Sequence, residues 1–255
     1  MKTTSIITIA KNHATGLQAT LTSIELLEGV NFEIILVIGS SNDRTLQIAQ
    51  EFTERTSLKV RLLLQSGSGI YEAMNEGVQA CSGDSILFMN AGDCFENAFS
   101  LKELVRELKT HKVGVVIGGY IVDKVGQTSH VKRSGRVTPF SFAFNRRGGC
   151  HQAMLYKTDA IKQLNLFPLQ YRLAADFDLT LRVILAFGGR RIPQLIAVIE
   201  PGGVADKGIV QVHKEKHLSR SILFGKKYLS AYSYIWALAA ITKFRIKHLS
   251  RNFLK

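Results

Sequence analysis

One stretch constrains the fold of this chain more than any other: SGSGIYEAMNEGVQACSGDSILFMNAGD, from Ser66 to Asp93. A Gly-rich turn opens into a helix, a second Gly turn follows, and a buried strand, Ser85 to Met89, ends in a polar loop carrying Asn90 and Asp93. That order belongs to an α/β sheet, in which ligands bind beyond the carboxyl ends of the strands.

The flanking sequence repeats the alternation. Ser5 to Ile9 is a short β-branched run, Glu33 to Ile38 (EIILVI) a second strand and Val60 to Leu64 a third. Between them Leu17, Leu21 and Ile24 share one helical face, with Thr15 and Gln18 spaced as a capping box, and Asn42 or Asp43 caps a helix through Phe52. Beyond the central stretch, Leu101, Leu104, Val105 and Leu108 form a helical stripe and Val113 to Ile117 a strand. Tyr120 to Val131, broken at Val125-Gly126-Gln127, reads as a hairpin. Ala153 to Tyr156 reads as strand, Thr158 starts a short helix, Asp176 to Phe187 is a helix stopped by Gly188-Gly189, and Ile192 to Ile199 returns as a strand. Strand alternating with helix at this pitch predicts a mainly parallel, Rossmann-like sheet flanked by helices.

The 255 residues suffice for one large α/β domain, and 46% hydrophobic content excludes wholesale disorder. Cys81, Cys94 and Cys150 make an odd count without C-x-x-C spacing, which fits neither a disulfide framework nor a zinc site and is expected of reduced thiols in the cytoplasm. The apolar run before Lys11 is only six residues, so it reads as a first strand rather than a secretory signal. The charge of +13 is uneven: Lys207 to Lys255 holds 11 Lys and Arg against one acid, Glu215. The division expected is therefore a domain over 1–206 and a basic helical extension over 207–255. In the latter, Lys226-Lys227, fifteen uncharged residues from Tyr228 to Thr242, then Lys243, Arg245 and Lys247 are patterned as an interfacial helix. The run is too short to span a bilayer, but Tyr228, Tyr232, Tyr234 and Trp236 suit the headgroup boundary, and each nearby Lys or Arg adds roughly 1 kcal/mol of attraction to anionic lipid.

GIYEAMNEG followed by SGDSILFMNAGD resembles the central signature of family 2 glycosyltransferases, especially bacterial members of the colanic-acid type, and the likeness runs from Ser5 to about Val204. It implies a GT-A-like single domain that moves a sugar, with inversion, from a nucleotide-diphosphate sugar to a hydroxyl of a lipid-linked or oligosaccharide acceptor. The implied setting is bacterial surface polysaccharide assembly, at the cytoplasmic face of the cell membrane. Such chemistry needs a base for the acceptor hydroxyl and positive charge or donors for the departing diphosphate.

By the same resemblance Asp176, in AADFDLTLR, is the base, with Asp178 its competitor. Two positions along a helix turn a side chain by about 200°, so the two acids cannot share one face. Asn90, Asp93, Gly69, Asn75, Asp43, His151 and Gln152 are implied at the donor, with Asp93 also the ligand of a divalent cation, Mg²⁺ or Mn²⁺. The wider family places a D-x-D or D-x-D-D cluster where this chain has Asn90-Ala91-Gly92-Asp93. Gly39 stands where an Asp is expected in D-G-x-S-x-D-G-T, Gly67 replaces an Asp before the GIY step, and Ala205 replaces Ser in the closing G-G-V-S segment. Two other readings fit parts of the chain. An inactive nucleotide-sugar-binding scaffold fits Gly39 and Gly67. A nucleic-acid-binding module fits the basic charge, but that charge sits in the tail and no recognised nucleic-acid motif accompanies it.

Overall fold

A computed structural model describes residues 3–122, 135–144, 149–203 and 208–225. In chain order the elements are β1 (Thr4–Ala10), α1 (Ala14–Glu25), β2 (Phe32–Ile38), α2 (Thr45–Arg55), β3 (Val60–Leu64), α3 (Ile70–Ala80), β4 (Ser85–Phe88) and β5 (Cys94–Phe95). Then come α4 (Ser100–Thr110), β6 (Val115–Val122), β7 (Gly135–Val137), α5 (Pro139–Phe144), a 3₁₀ turn (His151–Ala153), β8 (Met154–Lys157) and α6 (Thr158–Gln163). Helix α7 (Ala175–Phe187), β9 (Gly189–Ile199) and α8 (Ile209–Phe224) follow.

The strands form one sheet in the order β3-β2-β1-β4-β8-β6-β9-β5, with β7 added on β9. Among the described residues β1, β2, β3, β4, β6 and β9 run one way, and β5, β7 and β8 run against them. Side chains alternate across the pleat, so Ile7, Ile35, Val37 and Phe88 pack under α3 and α7. Their neighbours Ile6, Ile34, Leu36 and Leu87 pack against α1, α2 and α4. Leu17, Leu21 and Ile24 are fully buried, each worth roughly 1.5–3 kcal/mol relative to exposure. The result is a mixed α/β single domain, a central sheet flanked by helices.

The strand order fixes where a ligand can sit. From β1 the chain winds outward through β2 to β3, then crosses back so that β4 joins the other side of β1. Such a switch point leaves a crevice at the carboxyl ends of the two central strands. Because β8 is antiparallel to β4, with Leu155 opposite Leu87, the turn that starts β8 arrives at the same edge.

Several local expectations change. Helix α1 starts at Ala14 behind His13 with no side-chain cap, so the Thr15–Gln18 capping box does not form. Tyr120 to Val122 continue β6 rather than opening a hairpin, and the rest of that hairpin lies outside the described residues. At residue 207 the expected break precedes a helix docked on the domain: Glu215 is buried and accepts the backbone N–H groups of Arg172, Leu173 and Ala174 at 2.8–3.0 Å. The aromatic and basic segment proposed for the bilayer, 226–255, lies outside the described residues. Among the described residues no helix is long and apolar enough to cross a membrane.

Candidate active site

The loop after β4 stays tied to β1 before it turns away. Met89 and Ala91 donate N–H to the Ile7 and Ile9 carbonyls, and Gly92 then takes φ 98°, where a side chain would be strained. Thr20 of α1 holds the turn, its hydroxyl accepting from Gly92 N–H at 3.0 Å and donating to the Asp93 carbonyl at 2.7 Å. Asp93 is buried with one donor on each oxygen, Gln152 Nε2 at 2.5 Å on Oδ2 and the Glu200 N–H at 3.0 Å on Oδ1. Burial raises its pKa, and these two hydrogen bonds only partly offset that.

The residue before Gln152 reaches the other acid. His151 Nδ1 is 3.3 Å from Asp176 Oδ2, while its Nε2 is 3.1 Å from Asn90 Nδ2. A proton on Nδ1 faces Asp176. Tyr71 donates its hydroxyl hydrogen to Asp176 Oδ1 at 3.0 Å. Burial alone would raise the Asp176 pKa, but the bond and charge of His151, the charge of Lys216 and the Tyr71 hydroxyl outweigh it and bring the carboxyl down to about 2. Asp176 is therefore an ionised carboxylate, 27% exposed, at the first turn of α7. The dipeptide His151-Gln152 joins the two acids into one site.

Asp178 is excluded from that site. It is buried, with Oδ2 on Arg182 Nε at 2.7 Å and Oδ1 accepting from the Ser219 hydroxyl at 2.8 Å, so it locks α7 to α8. Asn75, expected at the donor, uses its amide on both backbone groups of Phe167, at 3.0 and 2.9 Å. It is a scaffold clamp. Asp43 is exposed and joins two strand-end loops, Oδ1 accepting from Thr45 N and Oδ2 from Ala14 N, both at 3.0 Å. Gly69 caps α3 and its carbonyl accepts from Gln65 Nε2 at 2.8 Å. Counting back from Ser41, Asp43 and Thr45, the acid of the D-G-x-S-x-D-G-T pattern falls on Ile38, not Gly39, and the Ile38 side chain is buried in the core.

Three residues enter this edge that the sequence did not single out: Tyr71, His13 and Glu200. Tyr71 sits inside the GIYEAMNEG signature, where its contact with a residue 105 positions away has no local sign. His13 and Glu200 meet at 2.6 Å from the ends of β1 and β9, 187 positions apart. A hollow of about 520 Å³ lined by Val78, Gln79, Lys162, Asn165 and Leu166 shares none of the site residues.

The family model described as "Glycosyl transferase family 2" matches residues 5–164. The chain belongs to this family. A PGL/p-HBAD biosynthesis glycosyltransferase of Mycobacterium bovis is 30% identical over 178 residues, covering 70% of this chain and 68% of the relative. Among solved structures, Staphylococcus aureus TarS 1–349 in complex with UDP superposes with a TM-score of 0.70 at 19% identity, over 87% of this chain and 66% of that one. The mannosyltransferase PcManGT of Pyrobaculum calidifontis, in complex with GDP-Man and Mn²⁺, gives a TM-score of 0.67 at 17% identity, over 86% of this chain and 64% of that one. Glucosyl-3-phosphoglycerate synthase of Mycobacterium tuberculosis, in complex with Mg²⁺ and UDP, gives 0.62 at 17% identity, over 86% and 79%. At these identities the structural matches speak to the GT-A fold. This family 2 glycosyltransferase carries its ionised Asp176 beside the His151-Gln152 turn that meets the loop after β4.

Proposed function

We propose that this family 2 glycosyltransferase transfers a sugar, with inversion, from a nucleotide-diphosphate sugar to a hydroxyl of a lipid-linked or oligosaccharide acceptor in bacterial surface glycan assembly. The observation that carries the reading is the ionised Asp176, gripped by Tyr71 and His151 and joined through Gln152 to the Asp93 loop. The relative named for PGL/p-HBAD biosynthesis and the neighbours bound to UDP and to GDP-Man support the donor class and a glycolipid setting.

Asp176 takes the acceptor's hydroxyl proton as its oxygen attacks the anomeric carbon, and the bond to the diphosphate breaks on the opposite side. A carboxylate at about pKa 2 is a weak base in the free protein. A diphosphate bound nearby adds negative charge, which raises the proton affinity of Asp176 when the donor is in place. Tyr71 and His151 fix the rotamer so that the oxygen is aimed rather than free to turn.

A divalent cation suits the donor set, since Asp93 and the buried, unpartnered Asn90 Oδ1 are hard oxygens in one loop. Among the described residues no three or more His, Cys, Asp or Glu side chains form a metal-holding group, so diphosphate oxygens would complete the shell. When bound, the cation supplies positive charge to the leaving diphosphate. Peripheral contact of the 226–255 segment with an anionic membrane would bring the site to a lipid-linked acceptor.

The test is a thermal-shift panel of nucleotide-sugars with and without Mn²⁺, paired with turnover. Asp176→Asn should bind donor as the wild type does and lose about 10²–10⁴ in kcat. Undiminished transfer by that variant removes Asp176 as the base.

A further inference from the structure

The Asn90–Asp93 loop has a single carboxylate, and it is buried under Gln152 and the Glu200 backbone. The volume a side chain at position 92 would take is nevertheless filled. A β-carbon on Gly92 would stand 2.0 Å from Glu200 Oε2 and 2.8 Å from His13 Nε2. A carboxylate from the end of β9, held by an imidazole from the end of β1, thus lies directly on the loop after β4.

That placement is held from two sides. The Glu200 N–H donates to Asp93 Oδ1 at 3.0 Å, and His13 Nε2 meets Glu200 Oε2 at 2.6 Å. Glu200 Oε1 takes no hydrogen bond from the described residues, and the side chain is 48% exposed. An exposed histidine–carboxylate contact ordinarily adds little stability, which gives no reason to seat one on a glycine. A second observation lies in the same loop: Asn90 Oδ1 is buried with no partner, and buried acceptors are rarely left unmet.

Resting on the reading of the chain as a nucleotide-diphosphate-sugar transferase, we propose that Glu200 is a carboxylate ligand for the divalent cation of the donor diphosphate, with His13 orienting it. Glu200 takes the place of the carboxylate the loop lacks at Gly92. Mg²⁺ and Mn²⁺ prefer oxygen ligands and often use one or two protein carboxylates beside substrate phosphates, so a dedicated cage is unnecessary. His13 holds Oε2 and leaves Oε1 for the ion, the usual task of a residue behind a ligand.

The full chain is titrated with Mn²⁺ in the presence of UDP and, separately, GDP, free Mn²⁺ being read by electron paramagnetic resonance. Calorimetry measures nucleotide binding without metal. In the wild type one nucleotide should raise Mn²⁺ affinity. Glu200→Gln should lower that Mn²⁺ affinity about tenfold or more, with metal-free nucleotide binding within about twofold. His13→Gln, which keeps the carboxylate, should weaken it by a smaller factor, and this second variant serves if the first fails to fold. Wild-type Mn²⁺ affinity in both variants overturns the inference, as does nucleotide binding with no Mn²⁺ enhancement. Failure of the wild type to bind either nucleotide overturns the functional reading first and this inference with it.

Discussion

Tyr71 donates its hydroxyl hydrogen to Asp176 Oδ1 at 3.0 Å across 105 positions of chain. The first turn of α3 and the first turn of α7 therefore meet over one carboxylate. Burial, then the charge of Asp176, hold the Tyr71 hydroxyl well above the usual tyrosine range, so it stays a donor throughout the working pH range. Tyr71→Phe removes that donor while keeping the ring. Because the lost hydrogen bond had lowered the Asp176 pKa, the acid limb of the pH–rate profile should move to higher pH. A fall in kcat of about tenfold should accompany it. An acid limb that stays in place would show that Tyr71 does not act on Asp176.

Asp178 and Asp176 should separate into stability and activity. Asp178 is bound to Arg182 and Ser219, away from the site, and removing one partner of a buried pair costs about 3–5 kcal/mol. Asp178→Ala should lower the denaturation midpoint strongly, while the folded fraction retains wild-type kcat. A folded Asp178→Ala protein without activity would return Asp178 to consideration as the base.

Much of this architecture is legible in the sequence. The β1, β2 and β3 runs, the α7 stop at Gly188 and the delivery of Asn90 and Asp93 to a strand end all follow from local pattern and period. The partner of Asn75, the Phe167 backbone, was not legible, because a helical position in the family signature says nothing of a residue 92 positions away. Glu200 and His13 had no sequence sign, since only the folded chain brings the ends of β1 and β9 together over the loop that carries Asp93. Helix α8 reads as part of a basic tail because its anchors, Glu215 and Ser219, are polar residues whose value appears only against the loop and helix they bind.

Gly92 should resist substitution for two separable reasons. Its φ of 98° strains any side chain, and a β-carbon there would strike Glu200 Oε2. Gly92→Ala should therefore cost about 1–3 kcal/mol in urea unfolding. Truncating Glu200 to Ala in the same chain should recover only the steric part and leave the backbone part. Full recovery by the double variant would show that the backbone conformation at 92 carries no strain.

At the opposite edge of the sheet, Glu33 is buried and accepts from Ser5 Oγ, Ser82 N–H, Ser82 Oγ and Gly83 N–H at 2.6–3.1 Å, with Lys59 Nζ at 2.8 Å. Burial by itself would raise its pKa, but Lys59 and the serine donors lower it from 4.5 to about 2. The folded value lies below the unfolded one, so this group's stabilisation is complete above about pH 5 and is lost as pH falls toward 2. The whole contribution is about 3 kcal/mol, of which about 2 kcal/mol has gone by pH 3. Glu33→Gln cannot titrate and loses the charge-assisted bonds at every pH. Urea midpoints at pH 6 and pH 3 should therefore converge for wild type and variant at the lower pH, because other carboxylates titrate equally in both. A difference between the two proteins that is the same at both pH values would remove Glu33 as a source of acid sensitivity.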